Sequence, residues 1–176
     1  MATTHYLISK TTVGADSVSS ITLTNIPQTY TDLLIKVSLR GTNAQYYDEL
    51  YMQFNNDTGA TNYKYLYLDS GAGTPRSAKT SGASFIYPGI IPGANATANT
   101  FSNGDIYIQN YTSSNTKSVS TDLVQENNSS ASFSYYQTLD AGLWVGTSAI
   151  TSIKLIPNNS ATFAEYTTYA LYGIKS

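Results

Sequence analysis

Between Thr31 and Arg40 apolar residues recur at every second position. Leu33, Ile35, Val37 and Leu39 take one side, and Asp32, Lys36, Ser38 and Arg40 the other. A period of two is the repeat of an extended chain with one face buried, so the segment predicts a half-buried strand. Ser19, Ile21 and Leu23 alternate in the same way with Ser20, Thr22 and Thr24, until Asn25-Ile26-Pro27-Gln28 breaks the ladder with a residue that has no N–H to donate. A short turn is expected to join these two strands. Leu50, Met52 and Phe54 alternate with Tyr51, Gln53 and Asn55; Asn56-Asp57-Thr58-Gly59 tolerates turn dihedrals, and Tyr63 to Leu68 resumes an extended pattern. A hairpin is therefore expected from Leu50 to Leu68.

From Asp69 to Ser84 the chain turns to Ser, Gly, Ala, Thr, Pro and single charges, which predicts a flexible surface loop over 69–84. Pro88-Gly89 and Pro92-Gly93 predict two further turns, and Ala94 to Thr100 continues in small residues. Asp105 to Asn110 resumes as a strand with Ile106 and Ile108 inward, and Ser118 to Gln125, Gln137 to Val145, Ile150 to Ile156 and Tyr166 to Ile174 supply four more candidates. Turns are expected at Asn127-Asn128-Ser129-Ser130 and Pro157-Asn158-Asn159, and the only helix-permissive stretch is Ala44 to Glu49. Eight to ten short strands with regular turn signals predict one all-β domain over 1–176. An antiparallel β-sandwich of jelly-roll type is favoured, and a barrel gives a similar pattern. No internal repeat argues for a propeller or solenoid.

Composition strengthens this. Thr, Ser and Asn make up about a third of the 176 residues, against 11% charged, and there are 16 Tyr. Ser and Asn compete with the helical backbone for hydrogen bonds, whereas Thr and Tyr suit strands. With 41% hydrophobic residues and 12% aromatic ones, disorder is excluded, and a chain of this size buries a core without disulfides. The absence of Cys removes thiol nucleophiles and cysteine-ligated metals. Nine Lys+Arg against eleven Asp+Glu give a net charge of -2, with no basic excess to neutralise a phosphate backbone, so no nucleic-acid partner is expected. Met1 to Lys10 has no basic region followed by an apolar one, so the mature chain is expected to begin at or near Met1; no apolar run suits a membrane partner either.

Candidate chemistry is sparse. The single His5 has no partner nominated by the sequence, so it reads as a surface or strand-start residue, and no Gly-x-Ser-x-Gly elbow is present. Asp122 with Glu126, or Asp48 with Glu49, are carboxylate pairs of the kind a glycosidase uses, but adjacent residues on a strand point to opposite faces. Asn55-Asn56-Asp57-Thr58-Gly59 offers oxygens to a Ca²⁺ ion yet lacks the alternating acids of an EF-hand, so an Asx-stabilised turn is the preferred reading. Gly71-Ala72-Gly73 has neither the further glycine nor the following helix of a phosphate loop. The Asn-x-Ser/Thr triplets at Asn56, Asn95, Asn110, Asn127, Asn128 and Asn158 are what a chain this rich in Ser and Thr supplies by chance. No catalytic residue, metal ligand or cofactor is expected, and the protein is expected not to be an enzyme. Tyr63, Tyr65 and Tyr67 share one strand face, and Tyr46, Tyr47, Tyr135 and Tyr136 occur as pairs. Such residues serve as ordinary sheet tyrosines, as a protein interface or as a sugar-stacking platform, and Trp144 as a core residue or an interface anchor.

Ile26-Pro27-Gln28-Thr29-Tyr30-Thr31-Asp32-Leu33, Phe54-Asn55-Asn56-Asp57 leading to Asn62-Tyr63, Ala149-Ile150-Thr151-Ser152-Ile153 and Ala170-Leu171-Tyr172-Gly173-Ile174-Lys175 together resemble small virion structural proteins of tailed bacteriophages, especially marine ones. The resemblance spans most of the chain, and its motifs specify turns and strands. It implies a component of the particle surface, assembled in the host cytoplasm, with other virion proteins as partners and a homo-oligomeric state, a trimer by analogy. Capsid decoration or cement is the favoured role. A tail fibre or other appendage that meets host glycan through the loops at one end is the alternative, and a carbohydrate-binding module built on Tyr63, Tyr65 and Tyr67 is a third.

Overall fold

A computed structural model describes residues 4–71, 73–126, 135–158 and 160–175. Twelve strands and no helix are found among them: β1 (His5–Thr12), β2 (Ile21–Leu23), β3 (Asp32–Leu39), β4 (Tyr47–Phe54), β5 (Tyr63–Gly71), β6 (Thr74–Ala83), β7 (Ile86–Pro92), β8 (Ser102–Ile108), β9 (Lys117–Glu126), β10 (Tyr135–Trp144), β11 (Ile153–Pro157) and β12 (Thr168–Ile174). They form two antiparallel sheets, one of eight strands in the order β1-β12-β3-β8-β9-β10-β5-β6 and one of four in the order β2-β11-β4-β7. The expected β-sandwich is therefore present. Setting aside the β9–β10 hairpin and the added β1 and β12 leaves β3-β8-β5-β6 facing β2-β11-β4-β7, the strand order of a jelly roll.

The core lies where the small sheet covers the large one. Alternation on β3 and β8 sends Leu33, Ile35, Val37, Leu39, Ile106 and Ile108 inward, all buried, against Leu50, Met52 and Phe54 of β4 and Ile153 and Leu155 of β11. Ile106 and Ile108 thus sit where the period of two places them. Arg40, just past β3, is buried as well. Its guanidinium donates to the carbonyls of Thr97, Thr100, Ala94 and Ala96 at 2.8, 2.9, 3.4 and 3.0 Å, which gathers the small-residue segment 94–100 around one cation.

Several local expectations are corrected. The stretch from Leu50 to Leu68 is not a hairpin: β4 lies in the small sheet between β11 and β7, whereas β5 lies in the large sheet between β10 and β6. The chain crosses between sheets in residues 55–62, where Asn55 and Asn56 both take left-handed conformations at φ 52° and 55°. The turn after β2 likewise carries the chain from one sheet to the other, since β2 pairs with β11 and β3 with β12 and β8. The segment 69–84 is no loop. It holds the end of β5 and the whole of β6, paired from Gly71↔Thr74 to Tyr63↔Ala83, with Gly73 at φ 79° in the turn. Pro88-Gly89 lies inside β7, an edge strand whose pairing with β4 shifts register between Leu50 and Met52, and an edge is where a strand tolerates proline. Pro92-Gly93 does end that strand, and Ala44 to Glu49 leads into β4 rather than forming a helix. The turn expected over 127–130, and residue 159 of the turn at 157–159, lie outside the described residues.

Asp57 fastens the crossing. Its Oδ2 accepts from the Trp144 indole N–H at 2.7 Å, and its Oδ1 accepts from the Gly59 N–H at 2.9 Å and the Asn62 amide at 2.8 Å. The oxygens considered for Ca²⁺ are thus taken up by an Asx turn. Burial alone raises the Asp57 pKa, but the three donors outweigh it and hold the carboxyl below its ordinary 3.8. Asp57→Ala leaves a buried indole N–H unpaired, so urea denaturation is expected to show a loss of about 2–3 kcal/mol at pH 7, shrinking as the pH of the assay falls below about 4.

Candidate functional site

Alternation on β4 gives that strand two working faces. Leu50, Met52 and Phe54 point into the core together with Asp48, while Tyr47, Glu49 and Tyr51 lie half-buried on the other side. The outer part of the large sheet reaches past the small one and wraps over this second face. Tyr65, Tyr67 and Asp69 come from β5, Arg76 from β6, Tyr87 and Ile90 from β7 and Tyr136 from β10, and together with the three residues of β4 they enclose a pocket of about 160 Å³.

The rings of this pocket pack mainly on one another. Tyr67 and Tyr65 lie 5.2 and 5.9 Å from Tyr87 between centroids, Tyr47 lies 5.5 Å from Tyr136, and Tyr51 stacks on Phe85 at 3.7 Å. The surface left facing the cavity is mainly polar. Asp69 and Arg76, opposite each other in the β5–β6 register, form a two-pronged ion pair at 2.7 and 3.0 Å, and the guanidinium sits 5.7 Å above the Tyr136 ring. Glu49 accepts from the Tyr51 hydroxyl and from the Asn158 amide, both at 2.8 Å. Burial raises the pKa of Tyr51, and the neighbouring Glu49 raises it further; burial also raises that of Tyr87 and carries Tyr136 up to about 12. All three hydroxyls therefore stay protonated and serve as both donors and acceptors.

Behind the pocket the same inner face carries unsatisfied polar groups. Asp140 lies cross-strand from Tyr67 and Thr138 from Asp69, and both are buried, as is Gln125 on β9. The Asp140 carboxylate, the Thr138 hydroxyl and the Gln125 amide have no hydrogen-bond partner among the described residues. Desolvation raises Asp140 from 3.8 to about 8, so it is neutral in the folded protein at pH 7.

Of the residues singled out in the sequence, Tyr65 and Tyr67 of the tyrosine platform reach this pocket, as do Tyr47 and Tyr136 of the tyrosine pairs and Glu49 of the carboxylate pair. Tyr63 shares their face but is fully buried in the core, its hydroxyl accepting from the Phe54 N–H at 2.9 Å and donating to the Asp57 carbonyl at 3.0 Å. Trp144 is buried as well, edge-on to Phe54 at 5.6 Å. Neither presents a face to a partner, so the three-tyrosine platform does not exist as such. Asp48 and Glu49 fall on opposite faces of β4 as alternation requires, and Asp122 and Glu126 lie on the open outer face of β9. His5 begins β1 on the surface, beside the Thr4 hydroxyl at 3.0 Å. Asp69, Arg76 and Tyr87 carry no signal of this kind in the sequence. The available signal was Asp69 and Arg76 placed symmetrically about Ala72-Gly73, which is the pattern of a hairpin.

The opposite, outer face of the large sheet is apolar in one region. Leu68 stands directly across from Leu139, and Leu66 from Ala141, with Val124 on the next strand. Leu66, Leu68 and Leu139 are 50%, 56% and 46% exposed, and Tyr135 at the end of β10 is 45% exposed. Leu68, Leu139 and Pro75 line a shallow, mostly apolar groove of about 290 Å³ here.

No family model, no curated protein and no solved structure matches this chain.

A pKa raised on folding means that the folded chain keeps a proton the unfolded chain has released, so stability falls as pH rises from about 4 to the folded value. Asp48, raised to about 6, contributes to that fall only up to pH 6; between 6 and 8 it belongs to Asp140. The urea midpoint is therefore expected to drop between pH 6 and 8 and to stay level in Asp140→Asn, which has no proton to lose.

Proposed function

We propose that the protein is a non-enzymatic structural component of a tailed-bacteriophage particle, a capsid-surface decoration or cement protein that acts by burying surface against other virion proteins. The observation that carries this reading is the leucine face of β5 and β10. Leu66, Leu68 and Leu139 adjoin one another on a regular sheet and stand about half exposed, an arrangement a soluble monomer seldom keeps unless something covers it. The surroundings fit an assembly surface. Ser118, Ser120 and Gln137 flank it with neutral polar groups, and single charges such as Lys64 and Asp122 lie at its border. Such a mixture gives an apolar centre with a polar rim. The resemblance of the turn and strand motifs to phage virion proteins supports the same reading. A neutral Ser/Thr/Asn exterior suits a protein whose task is to persist as part of a shell.

The test is to label the protein with a small-particle tag and image intact virions of the phage that encodes it. A regular array over the head is expected. Label confined to the tail would move the protein to an appendage, and particles without label would overturn the assignment. Because Leu68 and Leu139 are half exposed, Leu68→Lys combined with Leu139→Lys is expected to leave the isolated protein folded by circular dichroism. Each buried leucine contributes about 1.5–3 kcal/mol to an interface, so occupancy on particles should fall by more than about tenfold.

A further inference from the structure

We propose that the tyrosine pocket between β4, β5 and β7 binds one neutral saccharide ring. Three properties of the pocket select this ligand. The first is size: a closed cavity of roughly 150 Å³ holds a single benzene, so a half-open pocket of about 160 Å³ takes at most one pyranose, with part of its rim left in solvent. The second is polarity. A benzene cavity is apolar, whereas this one is lined by Tyr51, Tyr67 and Tyr87, by Glu49 and by the Arg76 guanidinium paired with Asp69. Donors and acceptors meet the ligand from four different strands, so it must itself carry both kinds of group around its rim. A pyranose does so with its hydroxyls.

The third property is charge. Asp69 is neutralised by Arg76 through two hydrogen bonds, and Glu49 already accepts from Tyr51 and Asn158. An anion entering here meets the Glu49 carboxylate, which no cation of the lining neutralises. A quaternary ammonium finds the tyrosine faces already packed against other rings, so the aromatic cage it needs is not offered. A neutral polyol meets neither obstacle. Polar character also continues behind the wall, where Thr138 and Asp140 lie one cross-strand position from Asp69 and Tyr67. This site is independent of the leucine face: the pocket lies on the inner side of β5 and the leucines on its outer side, so either assignment can fail without the other.

The experiment uses the whole chain and a panel of monosaccharides (glucose, galactose, mannose and N-acetylglucosamine) in ligand-observed NMR and calorimetric titration, with choline and inorganic phosphate as the competing probes. At least one monosaccharide is expected to bind with a Kd of about 1 mM or tighter, a typical strength for a single small ring. Tyr51→Phe and Tyr67→Phe remove a hydroxyl and keep the ring, so the protein should stay folded while affinity falls about tenfold. Tyr135→Phe, on the outer face, should change nothing. Binding of choline or phosphate without sugar, no binding of any monosaccharide, or sugar binding untouched by both pocket variants would each overturn the proposal.

Discussion

Four strands cannot cover eight. Most of what is distinctive in this molecule follows from that mismatch between its two sheets. Where β2, β11, β4 and β7 lie over β3, β8, β9 and β10, apolar side chains of both layers interdigitate. Beyond β7, which packs on β9 and β10, the large sheet continues through β5 and β6, where the described residues form no second layer, so that inner face must be covered by something else. The solution is to wrap it over the back of β4, which is why β7 is buried along its entire length and why β4 carries apolar residues on one side and tyrosines on the other. The tyrosine pocket is the gap that this wrapping leaves. No described residue covers the outer face of β5 and β10, and there the leucines remain open to solvent.

How far the fold could be read from the sequence depended on whether a strand had two different faces. On β3, β4, β9 and β10 one side is buried and the other is not, so Leu33 to Leu39 or Val119 to Gln125 announce themselves by alternation. β6 is exposed on both sides over most of its length and β7 is buried on both, so neither alternates. Ser77, Lys79 and Gly82 then look like a loop, and Pro88-Gly89 like a turn. Pairing was less legible than existence. Leu50 to Phe54 and Tyr63 to Leu68 carry the same pattern whether they face each other in a hairpin or lie in different sheets. The deciding contacts, such as the Trp144 indole on Asp57, span 87 positions of the chain.

The same reasoning explains what was seen of the candidate site. Period two puts Tyr63, Tyr65 and Tyr67 on one face without saying how deep each lies. Depth is set by the covering layer: Phe54 and Trp144 close over Tyr63, while β4 and β7 leave Tyr65 and Tyr67 at the lip of a cavity. That Glu49, Asp69 and Arg76 share a pocket was not legible because each comes from a different strand. Only the β5–β6 register brings Asp69 to Arg76, and only the wrapping of the large sheet brings both to Glu49. The Asp140 carboxyl, buried without a partner a strand away, is the clearest local conflict in the fold. It lies beside the same overhang rather than in the core proper.

On the proposed function, the overhang of the large sheet is the working part of the protein, and its outer, leucine-bearing face is covered in the phage particle. Hydroxyl-radical footprinting of free protein and of intact particles tests this residue by residue. The account predicts that Leu66, Leu68 and Leu139 lose most of their reactivity in particles while Leu7, at the far edge on β1, keeps its own. Equal reactivity of the three leucines in both states, with protection on another face, would contradict it.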